Sequence, residues 1–183
     1  EIAAGSPGAI FFPIFQPAGD FLADQAPGVS GLEGVVLLGA DGLQVSSFME
    51  LPQADGMYLS GPDLRYGSNT NQSTGVTADE FLVEYKANHG TSPEASFWAH
   101  SYDATTILLE AIKAASHSHD GNLEIDRDGV REYLDNLSNY EGIIGTLSCD
   151  DFGDCGAQRI TVIQNNSADY DGSMENVVFE YAP

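Results

Sequence analysis

Residues 9–42 decide the fold: AIFFPIFQP (9–17), AGDFLADQA (18–26), PGVS (27–30) and GLEGVVLLGADG (31–42). Ala9–Phe15 is an apolar run with the length and the aromatic and isoleucine content of a buried strand, and Pro17 stops it. Phe21, Leu22, Gln25 and Ala26 then recur at helical spacing, with Gly19 or Asp20 as the cap. Pro27-Gly28 closes that short helix. Val35–Leu38 is a second continuous apolar strand, ended by Gly39-Ala40-Asp41-Gly42. A strand, a helix and a strand, with both strands apolar throughout, predict a parallel sheet covered on both faces. Ligands of such sheets bind beyond the carboxyl ends of the strands. Those ends carry Phe15-Gln16-Pro17 and Asp41-Gly42. An aromatic ring next to one carboxylate suits a small apolar solute that carries an ammonium group.

The bulk of the sequence narrows the partners. Its 183 residues suffice for one substantial domain or two small lobes. Only Arg65, Lys86, Lys113, Arg127, Arg131 and Arg159 oppose 28 carboxylates, for a formal charge of −22. Such a surface repels phosphate backbones and anionic lipid, so nucleic acid is not an expected partner. No apolar run approaches the roughly 20 residues of a membrane span. Cys149 and Cys155 lie close together in a Gly/Asp-rich loop, which fits a disulfide across a hairpin in an oxidising compartment. The rivals are a reduced pair and a metal half-site; zinc normally takes four ligands, and no His is near.

Outward from the opening unit, EIAAGSPG (1–8) reads as the tail of a helix and a turn. A domain rarely begins so close to a central strand, so this sequence is expected to be part of a longer one. Gln44–Phe48 looks like a helix start, and Met57–Ser60 a third strand, broken by Gly61-Pro62. The polar stretch 61–76 is the best boundary between packing units. Thr77 with Glu80 forms a capping box for a helix ended by Gly90. Ser92-Pro93-Glu94 caps the next helix, about Ser96 to Ala115, whose apolar stripe includes Leu108, Leu109 and Ile112. That stripe has no obvious partner strands in the chain and is expected to be exposed. His117 to Gly121 reads as a loop, and its H-x-H beside Asp120 is weak evidence for a metal. Glu124 to Glu132 imitates part of a calcium loop, but Asp126 or Asp128 capping a helix Gly129–Leu137 explains it better. No metal or other cofactor is called for. Gly142–Leu147, Arg159–Gln164 and Val177–Tyr181 read as strands. N-x-S occurs at Asn71, Asn136 and Asn165.

The order of these pieces resembles the C-terminal half of type I periplasmic solute-binding proteins, nearest the leucine/isoleucine/valine-binding proteins of amino-acid ABC transporters. The matching segments are AIFFPIFQP with FLADQA, VVLLGADG, GMYLSGP, FLVEYKANHGTSP, SYDATTILLEAIKAA, DRDGVREYLDNL, and GIIGTLSCDDFGDC followed by RITVIQN. The resemblance implies an α/β fold, with parts of two doubly wound lobes that close on a ligand about a hinge. Residues 1–60 and 149–183 would be second-lobe portions, 67–140 helices of the first lobe, and the hinge segments would lie near 61–66 and 141–148. The family's other half carries the donors for the ligand carboxylate. Residue by residue, Phe15 matches the aromatic that lines the ligand. Asp41, where many relatives have Glu, matches the acid that pairs with its ammonium, and Gln16 neighbours the site. Tyr102-Asp103 would pack the long helix.

The implied function is a non-catalytic, extracytoplasmic binding subunit, periplasmic or a cell-surface lipoprotein, serving an ABC transporter permease. Its ligand would be a branched-chain or related amino acid. The alternatives are the ligand-binding region of a receptor, or a binder of a small amide such as urea. An enzyme is disfavoured, since G-x-S-x-G, H-E-x-x-H and phosphate-cradling Gly loops do not occur.

Overall fold

The computed structural model describes residues 2–157 and 159–182. In chain order its strands are β1 (Ala9–Phe12), β2 (Val36–Gly39), β3 (Tyr58–Pro62), β4 (Ser116–His119), β5 (Asn122–Ile125), β6 (Tyr140–Gly142), β7 (Gly145–Leu147), β8 (Ile160–Gln164) and β9 (Val177–Tyr181). Its α-helices are α1 (Ala18–Gln25), α2 (Ser46–Met49), α3 (Ala78–His89), α4 (Trp98–Ala114), α5 (Arg127–Asp135) and α6 (Tyr170–Glu175). The chain divides into two compact units. The first comprises Glu1–Asp63, Glu94–Ser96 and Arg159–Pro183; the second comprises Leu64–Pro93 and Phe97–Gln158.

The first unit is built on a five-stranded sheet of order β1-β2-β3-β8-β9. β1, β2 and β3 run parallel, β8 pairs with β3 in the opposite direction, and β9 pairs antiparallel with β8 and so runs the same way as β1–β3. The parallel part is what the apolar runs predict, with two differences at the ends. β1 stops at Phe12 rather than Phe15, because Pro13 has no N–H to give the ladder. β3 continues through Gly61 and Pro62, which pair with Thr161 and Ile160; Pro62 is tolerated as the terminal residue of the strand.

Coverage differs more. Phe12, Leu37, Leu59 and Ile163 share one face and pack with Ala23, Leu43, Phe48 and Met49 in a single core. The strand register puts Phe11, Val36, Leu38, Val162 and Phe179 on the other face. There Phe11 is 59% and Phe179 61% exposed. β1 is moreover an edge strand. The expectation of strands buried on both faces therefore fails for this sheet, whose core forms on one side alone among the described residues.

In the second unit the capping box is present: Glu80 N–H donates to the Thr77 hydroxyl, Thr77 N–H donates to the Glu80 carboxylate, and Gly90 ends α3 in the left-handed conformation. The two backbone and side-chain bonds from Thr77 hold the Glu80 carboxyl below the usual range. α4 starts at Trp98 without a side-chain cap, so Ser92 to Glu94 do not serve as one. Asp126 caps α5 by accepting from Asp128 N–H. His117 to Gly121 is not a loop but strand β4 and its turn, with Asp120 and Gly121 at positive φ (50° and 78°) as a two-residue hairpin turn requires. Gly142–Leu147 likewise splits into the β6–β7 hairpin. Of the three N-x-S sites, Asn71 and Asn165 are buried.

A buried polar cluster ties this unit together. Asp103 on α4 accepts from Ile143 N–H and Ile144 N–H (both 2.9 Å) and from Asn71 Nδ2 (2.8 Å). Asn71 also donates to Thr106 Oγ1 and accepts from the Tyr140 hydroxyl. Gly142 is required beneath it, since a Cβ there would lie 2.5 Å from Asp103 Oδ2. Of the stripe expected to be exposed, Leu108 and Leu109 are exposed, whereas Ile112 is half-buried.

Cys149 and Cys155 form a disulfide with Cα atoms 4.1 Å apart. The bridge closes an antiparallel turn, and Cys149 N–H donates to Leu137 O. That bond, with Cys149 and Ala157 packing on the second core, keeps this loop in the second unit. Contacts accordingly group residues 97–157 with the second unit and 159–182 with the first. The closed loop is short, so the gain sits at the low end for a disulfide, about 2 kcal/mol. Thiol titration of the denatured, unreduced protein is expected to find no free thiol; two reactive thiols would refute the bond.

Candidate functional site

The first unit's candidate site forms where β1 and β2 end. Because Pro13 terminates the ladder, residues 13–17 turn away from the sheet into α1, with a cis Gln16–Pro17 peptide and Gly19 N–H donating to Phe15 O. Gly19 must lack a side chain, since a Cβ would meet Leu43 Cδ2 at 2.6 Å. β2 ends at Gly39, and Asp41–Leu43 form a single 3-10 turn with Gln44 N–H donating back to Asp41 O. The two loops meet at Gly42, where a Cβ would stand 2.6 Å from Phe15 Cδ1, so the phenyl ring lies directly on the glycine. Phe15 and the Asp41-Gly42 turn are thus brought together, as their positions after adjacent parallel strands require. Asp41 is half-buried, whereas Phe15 is 71% exposed.

Gln16 is engaged elsewhere. Its Nε2 donates to Asp20 (2.9 and 3.2 Å) and its Oε1 accepts from the Ser47 hydroxyl (2.6 Å). With both ends of its amide bonded, it braces the loop between α1 and α2. Ser47 was not singled out by the sequence, because it is 31 positions from Gln16; Asp20, expected as a helix cap, serves in this bracing instead, and α1 begins after Pro17 without a side-chain cap. Beside them Ala95 bridges Val45, bringing Ser96 into the unit as a buried residue whose hydroxyl has no partner among the described residues. Gln44 is buried too, with Nε2 donating to Leu59 O.

At the same end of the sheet, β3 leads to Asp63 and β8 starts after Arg159. Asp63 N–H donates to Arg159 O, and Arg159 Nη2 donates to Asp63 Oδ2 at 3.0 Å. The Asp63 side chain is only 4% exposed, that of Arg159 45%.

The second unit holds an apolar cavity of about 400 Å³ lined by His100, Ile107, Leu134, Leu137, Ile144 and Leu147 and bordered by the disulfide. Burial lowers the His100 pKa against the opposing charge of Asp103, so the imidazole is neutral at neutral pH. The Asp103 carboxylate on its wall is taken by backbone and Asn71 donors, while the buried His100 Nδ1 has no hydrogen-bond partner among the described residues. Among the described residues no cluster of three or more His, Cys, Asp or Glu could hold a metal ion, and no helix is long and apolar enough to cross a membrane. His117 and His119 both approach Glu124 across the β4–β5 hairpin, in the open.

No protein-family model matches the sequence, and no curated protein matches it. Solved structures do. The chain is similar over its whole length to 47% of the leucine-binding protein LivK of Thermotoga maritima, at 23% identity and a TM-score of 0.71. It is similar over 92% of its length to 45% of a putative branched-chain amino acid ABC transporter protein of Rhodospirillum rubrum, at 24% identity and a TM-score of 0.55. A solute-binding protein of an ABC transporter from Rhodopseudomonas palustris, solved with p-hydroxybenzoic acid, matches 99% of the chain with 47% of its own, at 14% identity and a TM-score of 0.62. The chain therefore has the α/β fold of type I periplasmic binding proteins and spans about half the length of the structures it matches.

Proposed function

We propose that the protein is a non-catalytic solute-binding protein for a small zwitterion, a branched-chain or similarly apolar amino acid. Asp41 holds the ammonium group and Phe15 contacts the side chain. One observation carries this reading: a large aromatic is left 71% exposed at the carboxyl ends of parallel strands, with its ring against the turn that bears a half-buried carboxylate. Apolar surface of that size at the ligand end of an α/β sheet fits a role in contact with a ligand. In this reading residues 1–60 and the final strands belong to the second lobe of a two-lobed binder, 67–140 to the first, and the protein works outside the cytoplasm beside an ABC permease. The fold supports that assignment, and the disulfide supports the compartment.

The ammonium contact is a charged hydrogen bond worth roughly 1.5–3 kcal/mol. Asp41→Asn should weaken amino-acid binding roughly 10–150-fold, at about 1.4 kcal/mol per decade. Phe15→Ala should change side-chain preference more than ammonium recognition. Calorimetric titration with leucine, valine, an aromatic amino acid, a short amide and a sugar checks both. Binding of the sugar alone, or unchanged amino-acid affinity in Asp41→Asn, would overturn the assignment.

A further inference from the structure

We propose that the second unit holds a binding site of its own, a cage of aromatic rings between α3 and α4 that takes a small organic cation with a methylated ammonium group and no carboxylate. A cavity of about 310 Å³ is lined by Phe81, Glu84, Tyr85, Asn88, His89 and Tyr102. All but Tyr102 come from α3, and Phe81, Glu84, Tyr85 and Asn88 follow the i, i+3, i+4, i+7 spacing that puts them on one helix face. Tyr102 of α4 supplies the facing wall. Phe81 lies between the other two rings. Its centroid is 5.8 Å from that of Tyr85 and 5.1 Å from that of Tyr102, with the planes inclined by 35° and 66°. All three rings are half-buried, so part of each stays open to the cavity.

The rings are held in place by their neighbours. Trp98 stacks on Phe81 at 5.2 Å with the planes 5° apart, and Tyr66 meets Trp98 edge-on. The Tyr102 hydroxyl donates to Thr74 Oγ1 at 2.9 Å. His89 packs on Tyr85 with centroids 4.3 Å apart. A cage already in position loses little freedom when a ligand enters. Its chemistry favours one sign of charge. Aromatic faces attract cations, and cages of such rings recognise methylated ammonium groups. Exposed Glu84 adds a carboxylate, and no Lys or Arg lines the cavity among the described residues. The −22 charge of the chain concentrates cations and repels carboxylates. That separates this site from Phe15 and Asp41, whose proposed ligand is a zwitterion. The volume stands at the small end of the about 300–1,000 Å³ usual for ligand pockets, which suits a guest the size of choline.

The test titrates the full chain with choline, with the neutral alcohol in which a tert-butyl group replaces the trimethylammonium, and with glucose. NMR signals of the Tyr85 and Tyr102 rings report binding, so that any cation held at Asp41 is not counted. Choline should shift both rings with millimolar affinity, and the neutral alcohol should bind about tenfold more weakly, because the rings recognise the charge. Tyr85→Leu keeps an apolar wall without an aromatic face and should weaken choline about tenfold, read on Tyr102. Glu84→Gln changes a rim side chain outside the ring packing and should weaken it about threefold. Trp98 fluorescence like that of the wild type shows that each variant keeps its fold. Equal binding of choline and the neutral alcohol would make the cavity a merely apolar hollow, and ring shifts with glucose alone would make it a sugar site. Rings that do not respond to choline, or choline affinity unchanged in both folded variants, would place no cation there. Any of these results overturns the proposal and leaves the reading of Phe15 and Asp41 untouched.

Discussion

Replacing Asp103 with alanine is expected to destabilise the second unit by about 3–5 kcal/mol, the sum of three donors left without an acceptor at about 1–3 kcal/mol each, less what local relaxation recovers. The carboxylate is 1% exposed, so water does not replace it in the folded state. Ile143 N–H and Ile144 N–H lose their acceptor, and Asn71 keeps only Thr106 as the partner of its amide nitrogen. Asp103→Asn separates the contributions. One oxygen can still serve Asn71 and Ile143, whereas an amide N–H then faces Ile144 N–H, so roughly half the loss remains. Trp98 is the chain's single tryptophan and lies in this unit, stacked on Phe81. Urea unfolding followed by its fluorescence therefore reads the effect directly. A midpoint within error of wild type for Asp103→Ala would show that the cluster does not hold α4 to the β6–β7 hairpin.

The second large effect lies in the first unit. Gly61→Val should cost about 3 kcal/mol, the upper end for overpacking a core. A Cβ at position 61 would lie 2.0 Å from Gln44 Oε1 and 2.4 Å from its Cδ. Gln44 is buried and bonded to Leu59 O, so it cannot swing into solvent without breaking that bond. It also directly follows the Asp41–Leu43 turn, so its displacement should disturb the candidate ammonium contact. Gln44→Ala in the same chain should restore most of the stability by vacating the space. Thermal melting followed by circular dichroism checks both variants. A Gly61→Val protein that melts like wild type, or a double variant no better than the single one, would show that the steric argument is wrong.

How far the sequence could be read depended on how local each cause was. The parallel core was legible because Ala9–Phe12 and Val36–Leu38 are continuous apolar runs whose neighbours are turn formers. The end of β1 was equally local: Pro13 decides it by lacking a donor, and weighing the run as a whole hid that. The β4–β5 hairpin was not legible, since SHSH and NLEI carry little apolar alternation and are held by pairing with each other. Coverage of the sheet could not be read either, because an apolar strand looks the same whether or not a second layer covers it. The meeting of Phe15 with the Asp41-Gly42 turn was legible from their positions after adjacent strand ends. The roles of Gln16 and Asp103 depend on partners 31 to 41 positions away, a range at which spacing carries no signal.

The face of the sheet that no described residue covers ties the colloidal behaviour of this chain to ionic strength. Phe11, Val36, Ile160, Phe179 and Tyr181 are all more than two-fifths exposed, and apolar surface of this kind favours association. At 0.01 M salt the Debye length is about 30 Å, and two chains of charge −22 repel each other well before such faces meet. At 1 M it shrinks to about 3 Å, and the same faces come together against little resistance. Sulfate would act further in that direction by strengthening apolar burial. The carboxylate-rich surface and the sheet face left open by the described residues thus form an opposed pair, and dissolved salt sets which of them governs whether copies of this chain stay apart.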